Sequence, residues 1–159
     1  MKKSLINLSF LKYYQLFGSV LGFIISFYLI KTTIDFTDVS VKDYLSLTLL
    51  FSFFIFNLYS AILLFQKKNL IGLKLIIISL LLQIVGFNIA GLFYTAINGI
   101  AVNFTIDMTK DFIVGFEFQF SQFLLSSVTD NNIVVFKINF LAIFLLFYVS
   151  NKFNKLKIL

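Results

Sequence analysis

The chain contains no histidine, cysteine, arginine, tryptophan or proline in its 159 residues. Each absence closes off a class of function. Without cysteine there are no disulfides, no thiolate chemistry and no soft-metal site. Without histidine or cysteine, a serine nucleophile lacks its usual activating base. Without arginine, bidentate recognition of phosphate or bases is missing. Without proline, the broken half-helices of many ion-coupled carriers are not signalled, although glycine can interrupt a helix locally. Charge is also scarce, at 13% of residues. The net +6 comes from lysines scattered between apolar runs, so the basic patch that nucleic acid requires is absent.

Apolar surface is plentiful. Hydrophobic residues make up 60% of the chain, and 23 residues are phenylalanine; the mean hydropathy is +0.99. A soluble domain of this length needs far more polar cover. A bilayer span takes about 20 mainly apolar residues. Four stretches approach that length: residues 13–30, 44–65, 71–97 and 133–150. The sequence therefore predicts a single all-α membrane domain over 1–159, a four-helix transmembrane bundle. A small extracytoplasmic β-hairpin is expected between its third and fourth helices. Met1-Lys2-Lys3 ahead of the first run resembles a signal-peptide start. Lys12 interrupts the apolar segment and no small-residue cleavage site follows, so an uncleaved signal anchor is expected.

The lysines predict how the chain is threaded. Lys2, Lys3, Lys12, Lys67, Lys68, Lys74, Lys152, Lys155 and Lys157 fall in alternate gaps, whereas the other gaps hold Lys31, Lys42, Lys110 and Lys137. The positive-inside rule puts the larger set, with both termini, in the cytoplasm. All acids then lie outside: Asp35, Asp38, Asp43, Asp107, Asp111, Glu117 and Asp130. Most tyrosines fall near the span ends, where amphipathic rings favour the headgroups. The abundance of Phe, Ile, Lys and Asn suits AT-rich codons and points to a low-GC bacterium; the expected location is its inner membrane.

Helices in lipid associate through close packing and polar contacts. Gly18, Gly22 and Ser26 form a small-residue ladder in the first run, and Gly86 and Ala90 repeat the spacing in the third. These are read as helix-packing spots, within one bundle or at a homo-oligomer seam. Asn57 and Gln83 sit near mid-membrane, and Asn88 and Asn139 in the outer half. They are expected either to pair as polar glue or to line a pore for an uncharged solute. No span carries an acid near its centre, which argues against proton relays and cation coupling. Lys137 lies near the outer end of the last run. It either snorkels to the surface or pairs with Glu117 or Asp130.

The outer loop, residues 98–132, alternates like half-buried strands. Strands are expected at about 99–106 and 112–121, joined around Asp107–Asp111, with 122–127 as a short helix. A lone ribbon is marginal in water, so its apolar face must cover the bundle, meet a protein partner or enter the headgroups. Asp107, Asp111, Glu117 and Lys137 are candidates for outer-face contact. The first two are read as turn residues in preference to a cation site. Asn103-Phe104-Thr105 is a glycosylation sequon that a bacterial source would leave idle. No catalytic, cofactor or metal site is expected. The reading is a non-enzymatic accessory or scaffold protein that contacts lipid or a membrane or periplasmic partner; the alternative is a small oligomeric channel or carrier.

Overall fold

The computed structural model describes residues 7–33, 40–127 and 132–158. These form helices α1 (Ser9–Thr33), α2 (Val41–Phe65), α3 (Asn69–Gln83) and α4 (Phe140–Lys157), with strands β1 (Val85–Ile89), β2 (Leu92–Asp107), β3 (Ile113–Ser127) and β4 (Val134–Asn139). The fold is α/β, and it overturns the expected all-α four-helix transmembrane bundle.

Two of the four expected spans are long apolar helices. α1 and α2 have 25 residues each, about 37 Å at 1.5 Å per residue. They are long and apolar enough to cross a membrane. α2 starts with a capping box: the Ser40 hydroxyl accepts from the Asp43 amide, and the Asp43 carboxylate accepts from the Ser40 amide. α1 and α2 run antiparallel, since the Tyr13 ring meets Phe65 while Phe27 meets Phe51.

The other two runs divide between helix and strand. The run 71–97 leaves the helix after Gln83, because Val85, Phe87 and Ile89 alternate with Gly86 and Asn88, which are poor in a helix interior. The chain then turns at Ala90 and Gly91, whose φ values are 49° and 84°. Two positive φ angles in a two-residue hairpin loop match the right-handed strand twist. The expected helix-packing role of Gly86 and Ala90 therefore falls: one is in a strand and the other in a turn. α3, at 15 residues, reaches about 22 Å, roughly 15 Å short of α1 and α2. The run 133–150 opens with the β-branched strand Val134–Asn139. α4 begins beyond it, with the Asn139 side chain accepting from the Ala142 amide at 3.1 Å.

The sheet is antiparallel in the order β1-β4-β2-β3, with β1 also paired to β2. That extra pairing arises because β2 bends. Its first half pairs with β1 through Asn88↔Phe93, and its second half pairs with β4 through Thr105↔Lys137. β4 in turn pairs with β1 through Gly86↔Lys137. The three strands thus pair in a ring and curl into a small barrel. β3 follows β2 along its whole length, and a bulge falls between Ile97 and Ile100. The 122–127 stretch, expected as a short helix, continues β3. At the bulge Gly99 takes φ 96°, and a Cβ there would come within 2.7 Å of the Tyr14 ring. Only glycine meets both demands cheaply.

The apolar core lies mainly among the helices, around Leu11, Leu64, Leu73, Ile76, Leu80 and Leu145. A second cluster of Phe53, Phe54 and Ala96 seats the sheet on α2. Elsewhere the polarity is inverted. α1 buries Gln15, Gly18, Ser19, Gly22 and Ser26 and turns Phe17, Val20, Ile24 and Phe27 outward.

Candidate functional site: a polar lumen inside the sheet

Strand alternation sends successive side chains to opposite faces. In this barrel the inner face is polar. It carries Asn88, Thr95, Asn103, Thr105, Glu117, Gln119 and Lys137, as the pairings Asn103↔Glu117, Ala101↔Gln119 and Thr105↔Lys137 require. The outer face of the distal half is Ile100, Val102, Phe104, Ile106, Val114, Phe116, Phe118 and Phe120. Phe116, Phe118 and Phe120 are 60–73% exposed. A water-soluble sheet arranges these faces the other way round; lipid-facing barrels have this order.

The inner side chains form a hydrogen-bonded row. The Asn103 amide donates to Gln119 Oε1 at 2.8 Å, and Gln119 Nε2 donates to Glu117 Oε1 at 2.7 Å. Lys137 Nζ reaches Glu117 Oε2 at 2.7 Å. The pair leaves this wall close to neutral. Beside it lies a cavity of about 340 Å³ lined by Asn88, Thr95, Gln119, Gln122 and Lys137, with Phe87, Phe93, Leu124 and Val135. Asn88 Oδ1 is itself closed off from solvent and has no hydrogen-bond partner among the described residues. Deeper, a void of about 10 Å³ touches Gln83, Thr95, Asn103 and Lys137. It has roughly the size and polar lining that one water needs.

A buried polar file continues from this floor into the helices. The Asn98 amide donates to Gln83 Oε1 at 2.8 Å, and Gln83 Nε2 donates to Ser79 Oγ at 2.9 Å. Ser79 Oγ donates to Asn57 Oδ1. A branch at the bulge joins α1: Asn98 Nδ2 donates to Gln15 Oε1, and Ser19 Oγ donates to Asn98 Oδ1. Ser121 Oγ accepts from the Gly99 amide at 2.7 Å and donates to Gly18 O at 2.8 Å. These side chains are at most 4% exposed. Satisfying every partner in a low-dielectric interior ties the sheet to three helices. Toward the lysine-bearing ends the file gives way to the apolar helix core.

The expected site residues are distributed over this frame. Asn57 and Gln83 belong to one file through Ser79, Asn88 lines the lumen, and Asn139 caps α4. Glu117 and Lys137 meet as an ion pair. Asp107 closes the β2–β3 turn by accepting from the Thr109 amide at 2.8 Å; the Thr109 hydroxyl, and after it that amide, holds its carboxyl below the usual range. Asp111 is exposed on the same turn, and Asp130 lies outside the described residues. Gly22 sits under the Phe54 ring of α2, whereas Gly18 abuts the strand bulge instead of another helix.

Sequence reasoning overlooked Gln15, Ser19, Ser79, Thr95, Asn98, Gln119 and Gln122. Two signals were present: Gln15/Ser19 and Ser79/Gln83 are each four residues apart, on one helix face. A larger crevice of about 540 Å³ lies between α2 and the end of β3, with Leu45, Leu49, Leu92 and Leu125 in its walls. Ser40, Lys42, Asp43, Ser46, Ser126 and Ser127 complete its lining, and Asp43 is engaged by Ser40 as the α2 cap.

Compared with family models, with characterised proteins and with solved structures, the chain matches none. The fold and site define it as an α/β protein with two helices of membrane-spanning length and a sheet of inverted polarity.

Proposed function

We propose that this chain is a non-enzymatic, multi-pass protein of a bacterial inner membrane, an accessory or scaffold subunit whose sheet lies in the outer half of the bilayer with its aromatic face against lipid. One observation carries the reading: the distal sheet turns phenylalanines outward and the Lys137–Glu117 pair inward. Lengths agree with it, because the sheet fills the roughly 15 Å by which α3 stops short of α1 and α2. Charge agrees as well. Lys12 lies over the Phe65 ring and Lys152 over Tyr148, so lysine-bearing ends of α1, α2 and α4 gather at one end of the molecule. The Asp107–Asp111 turn lies at the other end of the sheet from the start of α4. The positive-inside rule assigns the lysine end to the cytoplasm.

The absence of tryptophan makes the test clean. Phe118→Trp, reconstituted in vesicles of brominated phosphatidylcholine, is expected to lose most of its emission and to be protected from iodide. Emission quenched by iodide and untouched by brominated lipid would place the face in water and refute the proposal.

The buried file favours a second reading, a carrier for an uncharged solute, because Asn57 and Gln83 share one polar line through Ser79. Solute flux in vesicles that is unaltered by Asn57→Leu and Gln83→Leu would exclude that lining.

A further inference from the structure

The lumen is more than the polar side of a lipid-facing sheet: the geometry points to a binding site for an uncharged polyhydroxyl compound, a saccharide ring. The exclusions come first. An inorganic anion would have to compete with Glu117 for Lys137, which it already holds at 2.7 Å. A hard cation needs several oxygen ligands, and Glu117, the carboxylate adjoining this cavity, is engaged by Lys137 and by Gln119. A wholly apolar guest would leave the amides of Asn88 and Gln122 and the Thr95 hydroxyl dry, at a cost that nothing in such a guest offsets.

What remains is a guest that both donates and accepts while carrying no net charge. Thr95 and Gln122 supply acceptor oxygens at the cavity wall. The amides of Gln119 and Gln122 and the ammonium of Lys137 supply donors around the same space of about 340 Å³. Hydroxyls satisfy both kinds of group at once. Phe93, paired opposite Asn88, lines the same cavity and gives the C–H face of a ring an apolar surface to rest on. A few directional polar groups in a partly apolar concavity is the usual composition of a small-molecule site. The guest can be a free sugar or the sugar headgroup of a glycolipid. Only the second source rests on the membrane placement proposed above.

Saturation-transfer NMR on the full chain in detergent micelles tests the free source, with glucose and sucrose as probes and methylammonium as the charged control. Transfer to a sugar and none to methylammonium is expected, with affinity falling at least tenfold in Asn88→Leu and Gln122→Leu. Thr95→Val, which keeps the shape of its side chain, replaces either variant that circular dichroism shows to be unfolded. Retention of glucosyl-diacylglycerol by the purified protein, lost in the same variants, would identify the headgroup source. The inference is overturned by no binding of glucose, sucrose or glucosyl-diacylglycerol at millimolar concentration, or by binding that the lumen variants leave unchanged. Its failure would leave the bromine-quenching result standing, and failure of that quenching would leave sugar binding in micelles measurable.

Discussion

The α1–α2 pair and the sheet solve the same problem with different periods. In α1 the residues turned inward are small or polar and fall at helical spacing, with Gln15, Ser19, Gly22 and Ser26 buried. In the sheet the inward residues fall at every second position, so Glu117 and Gln119 point in while Phe116, Phe118 and Phe120 point out. Both present apolar groups outward and keep their hydrogen bonding inside. The difference lies at the edges. A helix satisfies its own backbone, whereas β3 has an outer edge with no strand partner among the described residues. The helix pair therefore closes its own backbone, and the sheet is seated by side chains that reach it from α1 and α3.

That seating is the first place to break the comparison. Gly18 meets the Asn98–Gly99 backbone, where an added Cβ would lie 2.6 Å from the Gly99 nitrogen. Gly115, on the sheet, has nothing nearer than 3.4 Å. Gly18→Ala is expected to cost about 2–4 kcal/mol, because rigid backbone must move. Gly115→Ala should change stability by about 0.5 kcal/mol or less. Denaturation in mixed micelles compares the two, and equal losses would show that the bulge does not dock on α1.

The polar file comes next. Gln83→Leu removes the acceptor of the Asn98 backbone N–H, which is stranded at about 1–3 kcal/mol, while Ser79 keeps its bond to Asn57. Glu117→Gln breaks an ion pair whose side chains are 23% and 42% exposed, and exposed pairs contribute about 1 kcal/mol or less. Stability measured with and without 1 M salt should separate them: salt narrows the Glu117 effect and leaves the Gln83 effect intact.

The smallest effect expected is a pH dependence at the β2–β3 turn. The hydrogen bonds from Thr109 favour the charged form of Asp107 and lower its pKa in the folded protein. The native state therefore binds the proton less readily than the unfolded chain. The resulting stability is present above the ordinary carboxylate range and is lost as pH falls through the lowered folded value. Asp107→Asn should flatten that part of the acid limb of a melting curve by a small amount, and the helix pair should show a matching step at Asp43, whose carboxyl the Ser40 hydroxyl and amide hold below its ordinary range.

The sequence by itself determined a great deal that is local. Long unbroken apolar character sufficed for α1 and α2, since a helix of that length closes its own hydrogen bonds. Strict alternation sufficed for the middle of the β2–β3 hairpin. Neither signal was decisive over residues 84–97 or 133–139, because hydropathy averaged over a window is equally high for a buried helix and for a strand. The cue there was finer: Gly86 and Asn88 alternate with Val85, Phe87 and Ile89 before a turn at Ala90-Gly91.

Only the tertiary structure decided that the sheet closes on itself. The bend at Asn98-Gly99 lets β4 lie against both β1 and β2, and that closure brings Asn88, Gln119, Gln122 and Lys137 around one space. They come from three strands and are separated by up to 49 positions, as from Asn88 to Lys137. A lumen is a property of strand pairing and curvature, and no local period along the chain encodes it.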